Sequence, residues 1–114
     1  MHIGTDIEQI SRIERALQRT PRFAEKIFTP AERAYCETKS RPAMHYAARF
    51  CAKEAFAKAI GEPLSWQDVE VVREDGPPAM RVTGKAAALL NGRAVRLSLS
   101  HAGDYATAVV LIED

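Results

Sequence analysis

Asp6, Glu8, Glu54, Lys58 and His101 are the side chains whose types and spacing could do chemistry. Asp6 and Glu8 lie in a run, His2 to Ile10, that alternates as a strand does. Ile3, Thr5 and Ile7 face one way, and Gly4, Asp6 and Glu8 the other. Two acids on one strand face repel each other and gain nothing from burial. Either they point into water at a sheet edge, or they share a divalent cation such as Mg²⁺, which takes oxygen ligands. Glu54 sits in a second run, Arg49-Phe50-Cys51-Ala52-Lys53-Glu54-Ala55-Phe56-Ala57-Lys58-Ala59-Ile60-Gly61. Helix-forming Ala and Lys with a closing Gly mark it as the end of a long helix. At helical spacing Tyr46, Ala47, Phe50, Ala57 and Gly61 make one apolar stripe with Glu54 in its middle. A core-facing carboxylate is costly without a counter-charge. Lys58, one turn on, supplies one partner and a metal ion another, and the helix alone leaves both open. His101 closes an alternating strand, Val95 to His101, just before the turn Ala102-Gly103-Asp104. A satisfied structural histidine and a site residue both fit that place.

A basic stripe is the second chemical feature. Arg12, Arg15 and Arg19 step by three and four along a predicted helix, with Arg22 just beyond and only Glu14 nearby to offset them. A solvated face is the ordinary reading of such a stripe, but its one-sidedness suits an acidic protein partner better. The whole chain carries a formal charge of +1, too little for a general nucleic-acid or membrane-surface field. The charge is uneven, however. Residues 1–61 hold eleven Lys/Arg against seven Asp/Glu, and residues 62–114 five against eight. A docking face therefore belongs to the first half.

The elements that must position these residues can be read in order. Ser11-Arg12-Ile13-Glu14 has the form of a capping box, predicting a helix from there to about Gln18, before Thr20-Pro21 breaks it. Phe23 to Phe28 is a short helical turn. Thr29-Pro30-Ala31-Glu32 is a second capping box that opens a helix to about Lys39. Ser40-Arg41-Pro42 leads into the long helix that stops at Gly61. Strands are predicted over Asp68 to Val72 and Ala79 to Thr83, joined by Glu74-Asp75-Gly76-Pro77-Pro78 as a hairpin turn. A short helix from Gly84 to Leu90 and a last apolar strand, Tyr105 to Ile112, complete the chain. The expected fold class is α+β: one antiparallel sheet packed against one long helix, with short helices around it, in a single domain over residues 1–114. Cys36 and Cys51 show no metal-ligand spacing and read as free thiols of a reducing, cytoplasmic compartment. No signal peptide or apolar spanning run is visible, so neither a membrane nor a nucleic acid is an expected partner.

Three stretches in register carry a resemblance. Gly4-Thr5-Asp6-Ile7-Glu8 comes first. Arg49-Phe50-Cys51-Ala52-Lys53-Glu54-Ala55 with Lys58-Ala59-Ile60-Gly61 follows, and Ser98-Leu99-Ser100-His101 with Asp104-Tyr105-Ala106 stands last. Together they resemble the 4′-phosphopantetheinyl transferases, in particular the short holo-acyl-carrier-protein synthase group, from Ile3 to Glu113. The resemblance implies transfer of the phosphopantetheine arm of coenzyme A to a serine of an apo acyl carrier protein, releasing adenosine 3′,5′-bisphosphate. It implies Mg²⁺ as cofactor and coenzyme A as co-substrate, in fatty acid biosynthesis in the cytoplasm. By position, Asp6 and Glu54 match the family's metal ligands, and Lys58 the lysine beside the phosphates; these three are the implied catalytic residues. Arg49, Lys53, Gly61 and His101 match its coenzyme-binding segments, and Arg12, Arg15 and Arg19 its docking surface for the acidic carrier. Glu8 is more typical of the longer, two-lobed transferases, where it is a third metal ligand. Gly61-Glu62-Pro63 stands where short members carry Gly-x-Gly. A one-lobe chain implies a homotrimer with sites at subunit interfaces. Two other readings are a non-catalytic carrier-binding module and a transferase dedicated to polyketide or peptide-synthetase carriers.

Overall fold

Helix α4 (Pro42–Ile60) is the rod on which the rest is hung, and the computed structural model describes residues 1–73 and 76–114 around it. It lies along a three-stranded antiparallel sheet of order β1-β5-β4, made of β1 (His2–Gln9), β4 (Val95–Ala102) and β5 (Tyr105–Ile112). The central strand β5 buries Ala106, Ala108, Val110 and Ile112 against the helix. A separate hairpin pairs β2 (Val69–Val72) with β3 (Ala79–Val82), and a 3₁₀ turn, Trp66–Asp68, precedes it. Shorter helices, α1 (Ile10–Arg19), α2 (Phe23–Ile27), α3 (Pro30–Glu37) and α5 (Gly84–Leu90), close the sides. The α+β class and the long helix are as expected. Of the predicted hairpin turn, Glu74 and Asp75 lie outside the described residues.

Local chemistry explains most boundaries. Thr29 caps α3: its side chain accepts from the Glu32 N–H at 3.2 Å, while Glu32 accepts from the Thr29 N–H at 3.0 Å. Gly61 ends α4 in the left-handed conformation, at φ 80°. Gly4 sets the strand–helix distance. A side chain there would stand 1.9 Å from the Ala55 carbonyl oxygen, so only glycine lets β1 lie directly on α4.

Two expectations are corrected. Ser11 does not cap its own helix: α1 begins at Ile10, and the Ser11 hydroxyl donates to Asp104 on the β4–β5 turn, 2.6 Å away. Glu54 is not in the middle of the core stripe. The helix buries Tyr46, Ala47, Cys51, Ala52, Ala55, Phe56 and Ala59, and Phe50, Glu54 and Ala57 are only half-buried beside a cleft. Sheet, hairpin and α3 clasp α4 on several sides, so no single stripe describes its core. On β1 the alternation holds with its polarity reversed from a usual edge strand. Gly4, Asp6 and Glu8 face the helix, and Ile3 and Ile7 face outward, 68% and 60% exposed.

Candidate active site

The close approach at Gly4 carries Asp6, two residues along the same strand face, to the last turns of α4. There Lys58 Nζ donates to Asp6 Oδ1 at 3.1 Å and to the Thr5 carbonyl at 3.0 Å. The Asp6 side chain is 10% exposed, which disposes of the solvent-facing reading of this acid. Its other oxygen, Oδ2, is buried without a hydrogen-bond partner. Glu8 follows one register step on. Burial, then the neighbouring Asp6 carboxylate, then the charge of Glu54, push its carboxyl up to about 7, against a weaker pull from Arg12. Burial and the Asp6 charge raise Glu54 as well, with Lys58 opposing. Beneath them Cys51 is buried, its thiol donating to the Ala106 carbonyl at 3.2 Å, and burial keeps that thiol protonated.

Three mutually repelling carboxylates therefore face one exposed lysine and the first arginine of α1. Such a surplus of oxygen donors, one of them orphaned in a buried place, fits a hard divalent cation. Among the described residues no three His, Cys, Asp or Glu side chains enclose an ion as they stand. The fit to Mg²⁺ rests on the charge surplus and the unpartnered oxygen.

Glu54 also borders two hollows. One, of about 240 Å³, lies between α4 and the segment Pro63, Leu64 and Trp66. The other is a shallow depression of about 290 Å³ formed with Lys58, Gly61, Glu62 and Pro63. The connection that departs from the family's glycine pattern thus forms a wall beside the carboxylates. Lys53, by contrast, does not reach them. It is 2% exposed, paired with Glu32 at 2.8 Å, and donates to the carbonyls of Trp66, at 3.0 Å, and Val69. Its ammonium is fully occupied inside the protein, so a direct contact with a coenzyme is not what this geometry provides.

A basic quarter lies at the other end of α4. Arg49 is buried, its guanidinium 4.2 Å over the Tyr35 ring and its Nη1 donating to the His45 carbonyl at 3.3 Å, while its Nε has no partner. It lines a pocket of about 190 Å³ with Tyr35, Glu70, Arg73 and Arg81. His45 is held below the usual histidine range by burial first and then by Arg49, Lys39, His101 and Arg73. Exposed His101 adds its charge to this cationic group, and the register also sets it opposite Ala106, as Glu8 is, so the two share one sheet face with a single strand between them. Lys39, His45 and Arg73 were not singled out from sequence, although His45 and Arg49, four apart on one helix, carry a readable signal.

Arg12, Arg15 and Arg19 are all exposed on α1. Arg12 and Glu8 border one cavity of about 160 Å³ with Ile13, Phe23 and Phe50. The arginine stripe thus abuts the carboxylates. On the far side of the sheet, Ile3, Ile7, Tyr105 and Val109 leave an apolar face uncovered.

The family model described as the 4′-phosphopantetheinyl transferase superfamily matches residues 2–110. Over an alignment of 127 positions, gaps included, the chain is 43% identical to the holo-acyl-carrier-protein synthase of Moorella thermoacetica, covering 99% of this chain and 94% of that one. It is 47% identical over 119 such positions to the holo-acyl-carrier-protein synthase of Geobacter metallireducens, covering 96% and 94%. A solved complex of a Chronobacterium ammoniagenes enzyme of this type with coenzyme A superposes with a TM-score of 0.85 at 34% identity, over 97% of this chain and 95% of that one.

Proposed function

The chain belongs to the 4′-phosphopantetheinyl transferase superfamily as an enzyme of its holo-acyl-carrier-protein synthase type, and we propose from that premise how its residues divide the work. The reaction is transfer of the 4′-phosphopantetheine arm of coenzyme A to a serine of an apo acyl carrier protein. The serine hydroxyl gives up its proton to solvent as its oxygen bonds to the β-phosphorus, the bond from that phosphorus to the bridging oxygen breaks, and adenosine 3′,5′-bisphosphate leaves. Asp6, Glu54 and Glu8 would hold Mg²⁺, which when bound supplies neutralisation of the pyrophosphate charge. The observation that carries this assignment is the buried, unpartnered oxygen of Asp6 among three crowded carboxylates.

The remaining roles follow from position. Lys58 is the exposed cation beside the carboxylates, placed to meet developing charge on the transferred phosphate. Arg49 and His101, with Lys39, His45 and Arg73 around them, hold the nucleotide end of the coenzyme, for which a cationic pocket beside an aromatic ring is suited. Gly61 shapes the depression next to Lys58. Lys53 acts only by holding the Trp66–Val69 segment against α4. Arg12, Arg15 and Arg19 dock the acidic carrier with its serine directed at the Glu8 side of the site. The apolar outer face of Ile3, Ile7, Tyr105 and Val109 is what copies of the chain would cover in a homotrimer, with its sites near subunit boundaries. The free, buried Cys36 and Cys51 support a reducing, cytoplasmic setting for the reaction. Among the described residues no helix is long and apolar enough to cross a membrane.

Incubation with apo carrier, coenzyme A and Mg²⁺ is expected to add one phosphopantetheinyl group to the carrier, read by intact mass. Titration calorimetry is expected to show Mg²⁺ binding that Asp6→Asn abolishes. Unmodified carrier, or transfer that survives the double substitution Asp6→Asn/Glu54→Gln, would sink the proposal.

A further inference from the structure

The arginine helix α1 is a short element without a cap of its own. Its preceding residue, Gln9, makes no side-chain capping bond, and no acid lies in its first turn. Four N–H groups at such an end need acceptors, and the dipole needs a negative partner. Both come from a single residue more than ninety positions later. The Asp104 carbonyl accepts from the Ile10 N–H at 2.7 Å. Its carboxylate accepts from the Ser11 N–H at 3.0 Å and the Ser11 hydroxyl at 2.6 Å. The same carboxylate faces Arg41, 3.6 Å away, the residue just before α4. These bonds, the Ser11 hydroxyl first, hold the Asp104 carboxyl below its ordinary range, so the cap stays charged.

Position makes this cap more than a stability device. Asp104 stands on the turn three residues after His101, in the strand end that serves the cationic quarter. The helix it holds presents Arg12, Arg15 and Arg19, and Arg12 shares a cavity with Glu8. One turn therefore touches the element proposed for the carrier and leads to the one proposed for the coenzyme. We infer that Asp104 is a positioning residue for the carrier protein, fixing the angle of α1 so that its arginines and the carboxylates address one bound carrier together. The inference rests on the reading of α1 as the docking helix.

Steady-state kinetics with each substrate varied, run beside amide exchange, separates the two ideas. Asp104→Ala is expected to raise KM for the carrier about five- to tenfold, the size of a lost helix cap, with KM for coenzyme A within about twofold. The Ile10 and Ser11 amides should exchange faster in the same protein. Asp104→Asn, which still caps, is expected to restore most of the carrier KM and guards against a mere folding defect. A double-mutant cycle of Ser11→Ala with Asp104→Ala should be strongly non-additive. Faster exchange with an unchanged carrier KM overturns the inference, as does an equal rise in both KM values. Arg15→Glu serves as the separate control: if it leaves the carrier KM unmoved, the docking reading falls and takes the inference with it, whereas a raised carrier KM in Arg15→Glu beside an unmoved one in Asp104→Ala overturns the inference alone.

Discussion

Helix α4 carries two lysine–carboxylate centres five residues apart, and they are opposites. At Lys53 everything is matched. The ammonium meets Glu32 at 2.8 Å and two carbonyls, and Glu32 in turn accepts from the Thr29 N–H at 3.0 Å and the Val71 N–H at 2.9 Å. Both side chains are almost wholly excluded from water, at 2% and 0% exposure. Near Lys58 the sum does not close. Asp6 and Glu54 meet a lysine that is 55% exposed, Glu8 adds its charge beside Asp6, and one Asp6 oxygen is left bare. A balanced buried pair holds elements in place, here α3, α4 and the strand after Trp66. An unbalanced cluster costs stability and has to be completed by something from outside. The difference assigns the first centre to the scaffold and the second to the chemistry.

The comparison breaks most visibly through the scaffold. Lys53→Met leaves Glu32 buried without its cation and is expected to cost about 3–5 kcal/mol, read by urea denaturation. Adding Glu32→Leu should return most of that loss, because an apolar pair needs no counter-charge. A loss in Lys53→Met no larger than that of a surface substitution would mean the pair is not the clamp described. At the other centre, Asp6→Asn is expected to lower kcat by about 10³-fold with stability unchanged or raised, since one of three repelling acids is gone. An unfolded Asp6→Asn protein would put Asp6 in the scaffold and erase the contrast. Lys58→Ala should cost about 10²-fold in kcat and little stability, its side chain being half in water.

How much of this was legible in the sequence follows the range of each interaction. The start of α3 and the end of α4 were readable because Thr29, Glu32 and Gly61 act within one helical turn. The start of α1 is not legible in this way, because its acceptor, Asp104, lies ninety-three residues from Ser11. A helical wheel sets Glu54 in the core because it counts one stripe, whereas α4 is covered by sheet, hairpin and α3 together. The resemblance assigns Lys53 to a coenzyme-binding segment, and its buried partner Glu32 is visible in sequence only as half of a capping box. The pairing of Asp6 with the far end of α4 depends on a glycine that lets two backbones touch, and no periodicity displays that. Family resemblance supplied the link that spacing could not.

The smallest expected effect is a pH signature of the unbalanced centre in metal-free protein. Glu8 rises from its ordinary 4.5 to about 7 in the folded state, and Glu54 also rises. A raised acid binds its proton in the folded chain first, so between about 7 and 4.5 these groups make folding more favourable as pH falls and less favourable as it climbs. His45 acts the other way: lowered from 6.5, it is protonated first in the unfolded chain and weakens folding as pH falls below that value. Asp104 and Asp114, both lowered from 3.8, contribute only at more acid pH and lie outside this window. The wild-type slope is thus a sum of opposed parts, and a difference between proteins isolates the carboxylates. Asp6→Asn removes a main cause of the rise in Glu8, so its stability relative to the parent should be greatest near pH 7 and shrink toward about pH 5. Thermal midpoints of both proteins in a chelator, at those two pH values, make the measurement. An offset that does not change with pH would show that the three acids do not sense one another, and the contrast between the two centres would then rest on geometry alone.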